Sequence, residues 1–106
     1  GEKIQKMVKE VVWPIKASKS YWQVVEYLLR ELGRNVVTDF VTTVHQKIEL
    51  ISSNPYLFKK SSSQKNVFIT VIHKRLTLTY RYRPVKNRIE LLVFWDTRRN
   101  PSRFPY

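Results

Sequence analysis

The sequence predicts an α+β domain in the order β-α-α-β-β-β, a helix hairpin packed on one face of a small, mainly antiparallel sheet. Three observations carry that prediction. Between Arg75 and Asp96, apolar residues alternate in two runs separated by a short polar turn, the pattern of a β-hairpin. Between Ser20 and Ser53 they recur instead at helical spacing, interrupted once, at Gly33. No cysteine is present, and the only glycines are Gly1 and Gly33, so disulfide scaffolds and glycine-rich nucleotide loops drop out.

In order along the chain, residues 1–7 read as a disordered or tag-derived tail and Met7 as an alternative start. Val8 to Trp13 alternates loosely, is rich in β-branched residues and stops at Pro14, which predicts a short first strand. Ser20-Tyr21-Trp22-Gln23 has the form of a capping box, and Trp22, Val25, Leu28, Leu29 and Leu32 follow as a stripe that Gly33 closes. Asn35 caps a second helix, with Val37, Phe40, Val41, Val44, Ile48 and Ile51 as its stripe and Asn54-Pro55 as its end. The two helices then form an antiparallel hairpin. Tyr56 to Asn66 is polar and basic and is expected to be a mobile loop, after which Val67 to His73 alternates as a strand.

The last hairpin has the clearest pattern. On its first strand Leu76, Leu78, Tyr80 and Tyr82 share one face, and Arg75, Thr77, Thr79, Arg81 and Arg83 share the other, which reads as polar and cationic. Arg83 to Arg88 makes the turn. On its second strand strict alternation sets Ile89, Leu91, Val93 and Trp95 on one face and Glu90, Leu92, Phe94 and Asp96 on the other, as in a strand covered on both sides.

Length and composition bound the rest. With 106 residues, 42% hydrophobic and 13% aromatic, the chain is one domain with one core. No apolar run approaches the roughly 20 residues of a membrane span, and the absence of cysteine fits a reducing compartment, so a cytoplasmic protein is expected. Residues 1–50 carry 8 Lys/Arg against 6 Asp/Glu, a net of +2, leaving 12 against 2, a net of +10, for residues 51–106. That field would draw in a polyanion or an acidic partner; the plain alternative is a solvated face.

Residue supply removes several chemistries. Two distant histidines and no cysteine make a metal site unexpected, and no cofactor motif is present. Glu90 and Asp96, six residues apart on a strand, stand roughly 20 Å apart at about 3.3 Å per residue, too far for a paired-carboxylate hydrolase. Ser61 to Ser63 lie in no nucleophile motif. What remains is the side-chain set of a metal-free ribonuclease, which needs a base near the 2′-OH, cations against the phosphorane and an acid at the leaving oxygen. Arg75, Arg81, Arg98 and Arg99 are the candidate cations, and His73, Tyr82 and Tyr106 the candidate proton-transfer groups. Lys59, Lys60, Lys65, Lys74 and Arg83 extend the cationic surface for nucleic acid, and Asp96, two residues before Arg98, is placed to orient it. Turn or core packing is the plain reading of His73, Tyr80 and Tyr82.

Trp13 and Ala17 before the first helix, the Gly33 break, Asn54-Pro55, Leu78-Thr79-Tyr80-Arg81 and the closing Asp96-Thr97-Arg98-Arg99-Asn100-Pro101 together resemble the RelE/ParE superfamily of toxins from bacterial type II toxin–antitoxin modules. The closing hexapeptide is similar to the Asp-x-Arg-Gln-Asn-Pro ending of plasmid-stabilisation-type members. The resemblance spans about residues 8 to 101. It implies a basic toxin neutralised by an acidic antitoxin that wraps it, with a homodimer open to the isolated chain. RelE-type members cut messenger RNA on the ribosome with strand lysines and arginines; in this chain Phe68 and Thr70 occupy the lysine positions and Thr77 the strand arginine's. The terminal arginine matches at Arg98 or Arg99, and Arg75 and Arg81 share Thr77's face as substitutes. ParE-type members instead bind DNA gyrase without catalysis, and a degenerate toxin would bind only its antitoxin. Ribosome-dependent cleavage of messenger RNA is the preferred expectation.

Overall fold

The computed structural model describes residues 9–99 and 101–106. The expected tail 1–7, Val8 of the first strand and Asn100 of the closing hexapeptide lie outside the described residues. In chain order the elements are β1 (Glu10–Val12), α1 (Ile15–Leu32), α2 (Arg34–Ser53), β2 (Lys59–Lys60), β3 (Val67–His73), β4 (Leu76–Arg83) and β5 (Arg88–Asp96), followed by a short 3-10 turn at Pro101–Arg103. The sheet runs β1-β5-β4-β3-β2, with β1 parallel to β5 and every other pair antiparallel. α1 packs over β5 and α2 over β3, so both helices cover one face. The α+β expectation holds; β2, a two-residue edge strand paired with β3 through Lys59 and Lys60, is an addition to it.

α1 begins five residues before the expected capping box. Pro14 precedes it with its carbonyl accepting from the Ser18 N–H at 3.0 Å, since proline's fixed φ suits a helix start. Ser20 therefore lies inside the helix. Its hydroxyl donates back to the Ala17 carbonyl (2.8 Å) and accepts from the Phe94 N–H of β5 (2.9 Å). The inward face is Ala17, Tyr21, Val24, Val25 and Leu28, whereas Trp22, Leu29 and Leu32 of the expected stripe are exposed. Gly33 alone joins the helices, and α2 starts at Arg34 without a side-chain cap from Asn35. A φ of +93° at that residue turns the chain in a single step, a conformation glycine adopts without steric cost. The α2 stripe packs as expected, with Phe40, Val44 and Ile51 buried.

β4 keeps the expected alternation, placing Leu78, Tyr80 and Tyr82 in the core beneath the helices. β5 does not. Thr79 pairs with Val93 but Tyr80 with Leu91, so Leu92 is one extra residue, a β-bulge. One extra residue reverses the side-chain phase. Ile89, Leu91 and Phe94 therefore point to the helices, while Glu90, Val93 and Trp95 pair with Arg81, Thr79 and Thr77 on the outer face. Glu90 and Asp96 thus end on opposite faces, which separates them further than alternation predicted.

The outer face is not the exposed cationic surface expected from β4. Thr77, Thr79, Val67, Val93 and Trp95 are all buried there. The C-terminal tail crosses it: Phe104 packs 5.3 Å from the Trp95 ring, and the hydroxyls of Ser61 and Ser63 donate to the Tyr106 carbonyl at 2.7 and 3.1 Å. Gln64 reaches the Pro105 carbonyl at 3.4 Å. The serine loop, expected to be mobile, is thereby fastened, and Ser61 also accepts from the Ser63 and Gln64 N–H groups.

Candidate functional site

A groove of about 550 Å³ opens between the C-terminal half of α1, the β3–β4 turn and the end of β5, lined by Tyr27, Leu28, Leu32, His73, Lys74, Arg75, Leu76, Asp96 and Arg98. Lys74 makes the turn possible with a φ of 46°, and the Thr97 N–H donates to the Arg75 carbonyl at 2.7 Å, tying the segment after β5 to that turn. The bulge at Leu92 matters here. It rotates Asp96 to the helix side, opposite Leu76, where it closes the groove floor.

Arg98 is the most firmly placed cation. Its backbone N–H donates to Asp96 Oδ1 at 2.8 Å, its Nε to Oδ1 at 3.1 Å, and its Nη2 to Oδ2 at 2.6 Å. Two parallel charge-assisted bonds fix the plane of the guanidinium. The Tyr27 ring lies beneath it, 6.0 Å from ring centre to guanidinium carbon. The hydrogen bonds from Arg98 hold the Asp96 carboxyl below the usual carboxylate range, against an opposing effect of burial, and Arg75 adds its charge. Reciprocally, Asp96 raises the Arg98 pKa, with the Tyr27 hydroxyl as a second contributor. With Lys74, Arg75 and Arg98 against Asp96, the groove carries a surplus of cations beside the His73 imidazole.

The other expected site residues go elsewhere. Arg81 stands six residues along β4 from Arg75, roughly 20 Å at about 3.3 Å per residue; it donates to Gln64 Oε1 at 2.8 Å and lies 4.0 Å from Glu90. Arg83 pairs with the same Glu90 at 2.9 Å. Both line a second hollow of about 340 Å³ together with Lys65 and Lys86. Arg99 holds its guanidinium 4.5 Å from the centre of the Trp95 ring, and it also lines a small hollow with Ser20, Tyr27, Leu76 and Asp96. Tyr106 rests near Phe104 and Lys16. Lys59 and Lys60 are exposed on the edge strand, where lysine discourages strand addition. Tyr80 is core, as its alternation indicated, with its hydroxyl donating to the Pro55 carbonyl at 2.7 Å and its pKa raised by burial.

Three of the seven candidate cations and proton-transfer groups, His73, Arg75 and Arg98, therefore meet in one groove, and Lys74 and Asp96 join them, whereas Tyr82 is in the core. Arg81, Arg99 and Tyr106 do not. The cationic surface expected for nucleic acid is divided into two ends by the buried centre of the outer face. Sequence reasoning missed the helix wall of the groove, Tyr27, Leu28 and Leu32. Phasing α1 from Ala17 through Tyr21, Val24 and Leu28 would have found it, since Tyr27 then falls on the margin of the sheet-facing side. No group of three or more His, Cys, Asp or Glu that could hold a metal occurs among the described residues.

No family model matches the sequence, and no curated protein matches it. Solved structures do. A chromosomal ParDE toxin–antitoxin system from P. aeruginosa aligns at a TM-score of 0.68 and 12% identity, over 84% of this chain and 96% of that one. The fold is that of the ParE and YoeB toxins. A YoeB/ParE toxin from Agrobacterium tumefaciens follows at 0.60 and 14% identity, over 82% and 96% of the two chains. The YoeB dimer from Staphylococcus aureus aligns at 0.57 and 13%, over 83% and 95%. In each case the match covers at least 95% of the other chain.

Proposed function

We propose that this protein is the toxin of a type II toxin–antitoxin module, and that its target is messenger RNA on the ribosome, gripped and cut at the groove between α1 and the β3–β4 turn. The observation that carries this reading is the gathering of His73, Lys74, Arg75 and Arg98 around one cleft by three separate elements. Arg75 and Lys74 are suited to the charge of a scissile phosphate. Arg98, oriented by Asp96, offers a planar fork that phosphate oxygens match. The Tyr27 ring at the cleft wall is a stacking platform for an unpaired base. His73 brings an imidazole, the side chain most used for proton transfer.

One such group is present where cleavage needs a base and an acid, so the ribosome supplies positioning and the second proton relay. Free RNA should accordingly be cut slowly. Expression without a partner should arrest growth, and primer extension on a translating extract should show new 5′ ends inside coding sequence. Intact messages combined with blocked supercoiling by gyrase would transfer the protein to the ParE-like, non-catalytic reading. One observation favours that second reading: Asp96 already occupies the Nε–Nη2 edge of Arg98, as in a residue held for protein recognition. An acidic antitoxin that folds over the groove would compete with either target, and its affinity should fall with added salt.

A further inference from the structure

The hollow at the far end of the sheet gathers four cations that the groove does not use. Lys65, Arg81, Arg83 and Lys86 line its volume of about 340 Å³. Glu90 is the carboxylate that the two arginines share, 4.0 Å from Arg81 and 2.9 Å from Arg83, and neither lysine has an ion pair among the described residues. Four cations against one carboxylate leave a surplus of three charges. Rigid parts hold these groups. Arg81 donates to Gln64 Oε1 at 2.8 Å, and the Gln64 amide is fastened in turn to the Pro105 carbonyl at 3.4 Å. Glu90 holds Arg83 through its Nε, so both guanidinium planes are set before any ligand arrives, and little side-chain entropy is left to lose on binding. The lysines ride on two fixed turns. Asn66, at a φ of 60°, accepts from the Tyr82 N–H at 2.9 Å, and Asn87, at 51°, donates its N–H to the Pro84 carbonyl at 3.1 Å. Asparagine enters this left-handed backbone more readily than most residues.

We propose that this hollow binds a short phosphate chain, two or three phosphates joined by anhydride bonds, free or carried on a nucleotide. Charge selects the class. Such a chain brings several negative charges within a few ångströms of one another, and so meets a surplus that a single carboxylate would leave largely unmatched. The two guanidinium forks match phosphate oxygens in pairs, and the lysines add point charges on either side. The surroundings favour a small ligand over a polymer. A nucleic-acid strand needs a continuous cationic track, whereas the buried centre of the outer face, with Phe104 packed on Trp95, separates the hollow from the groove. The hollow is instead bounded by the Pro84-Val85-Lys86 turn, at a volume within the range of small-ligand sites. The inference does not rest on the toxin reading, because neither the groove's chemistry nor toxicity enters its readout.

Isothermal titration calorimetry on the full chain tests it, in about 0.15 M salt so that long-range attraction to a protein of net charge +12 is screened. Tripolyphosphate and pyrophosphate should bind one to one, at least about tenfold more tightly than orthophosphate. Lys65→Ala and Lys86→Ala, both at exposed positions, should each weaken tripolyphosphate about tenfold, and the double variant about a hundredfold, with unchanged circular dichroism. Lys74→Ala, in the groove, should bind it as the wild type does. A nucleoside triphosphate separates the two sources of the chain. Equal affinity means that the phosphate chain itself is read, and a gain of about tenfold means that a nucleotide carries it; both results keep the site. The proposal is overturned if tripolyphosphate shows no saturable binding below about 1 mM, binds no more tightly than orthophosphate, or keeps its affinity in the Lys65→Ala/Lys86→Ala double variant. Loss of binding in Lys74→Ala alone would assign the anion to the groove. A single-stranded RNA that outcompetes tripolyphosphate and depends on Lys65 and Lys86 would assign the hollow to nucleic acid. Either result overturns the proposal equally.

Discussion

Asp96 and Arg98 show how one residue can be fixed by another two positions away. The carboxylate accepts the backbone N–H and two guanidinium bonds of Arg98, so its folded-state pKa is depressed. A depressed carboxylate contributes stability above its unfolded value, about 3.9, and that contribution is lost as pH falls through the lowered folded value. Asp96→Asn should consequently be less stable than wild type at neutral pH, with the gap closing as pH falls below the unfolded value and through the lowered folded one; urea midpoints across pH measure this. Thr79 shows the opposite situation. Its hydroxyl is buried and makes no hydrogen bond among the described residues. An unsatisfied buried hydroxyl costs about 1–3 kcal/mol, so Thr79→Val, close in shape, should raise the unfolding free energy by about 1 kcal/mol. A fall in the denaturation midpoint would mean that the hydroxyl has a partner.

At the scale of elements, the joint between α1 and β5 organises the site. Just past the bulge at Leu92, Phe94 pairs with Leu78 and its N–H donates to the Ser20 hydroxyl inside the helix. Ser20→Ala removes that acceptor and leaves a part-buried N–H unpaired, which should cost about 1–3 kcal/mol in thermal or urea unfolding. A cost below about 0.5 kcal/mol, typical of a surface change, would show that the joint is not built on this bond. The same joint marks where the sequence stopped being legible. The meander, the helix hairpin and its Gly33 reversal could be read, because each rests on local periodicity or on one residue's backbone freedom. The bulge could not, because Leu91-Leu92-Val93-Phe94-Trp95 is apolar throughout and carries no period to show where the phase slips. The start of α1 was misplaced because Ser20-Tyr21-Trp22-Gln23 has the composition of a cap while its serine serves a strand. His73, Arg75 and Arg98 were nameable from chemistry alone; that they meet, and that Arg81, Arg99 and Tyr106 do not, follows from that slip and from the C-terminal tail.

On the scale of the whole molecule, the tail and the serine loop close the outer face, and this leaves the cations at the rim. Phe104 on Trp95 and the Ser61 and Ser63 bonds to Tyr106 bury the centre of the sheet, leaving cations at its two ends. The groove end has the His73 imidazole, the oriented arginine and an aromatic wall; the Arg81 end has cations already matched to Glu90 and Gln64. If the groove is the site, the geometry of Arg98 matters and its charge alone does not suffice, because a lysine ammonium cannot reproduce a planar fork. Arg99, whose guanidinium lies over the Trp95 ring and outside the groove lining, should tolerate the same exchange. The direct measurement is growth arrest on induction by wild type, Arg98→Lys, Arg98→Ala, Arg99→Lys and Arg99→Ala, with circular dichroism to establish folding. The account predicts that Arg98→Lys is as inactive as Arg98→Ala while both Arg99 variants keep most of the toxicity. If every folded variant remained fully toxic, the groove would be a solvated end of the sheet and the account would be contradicted.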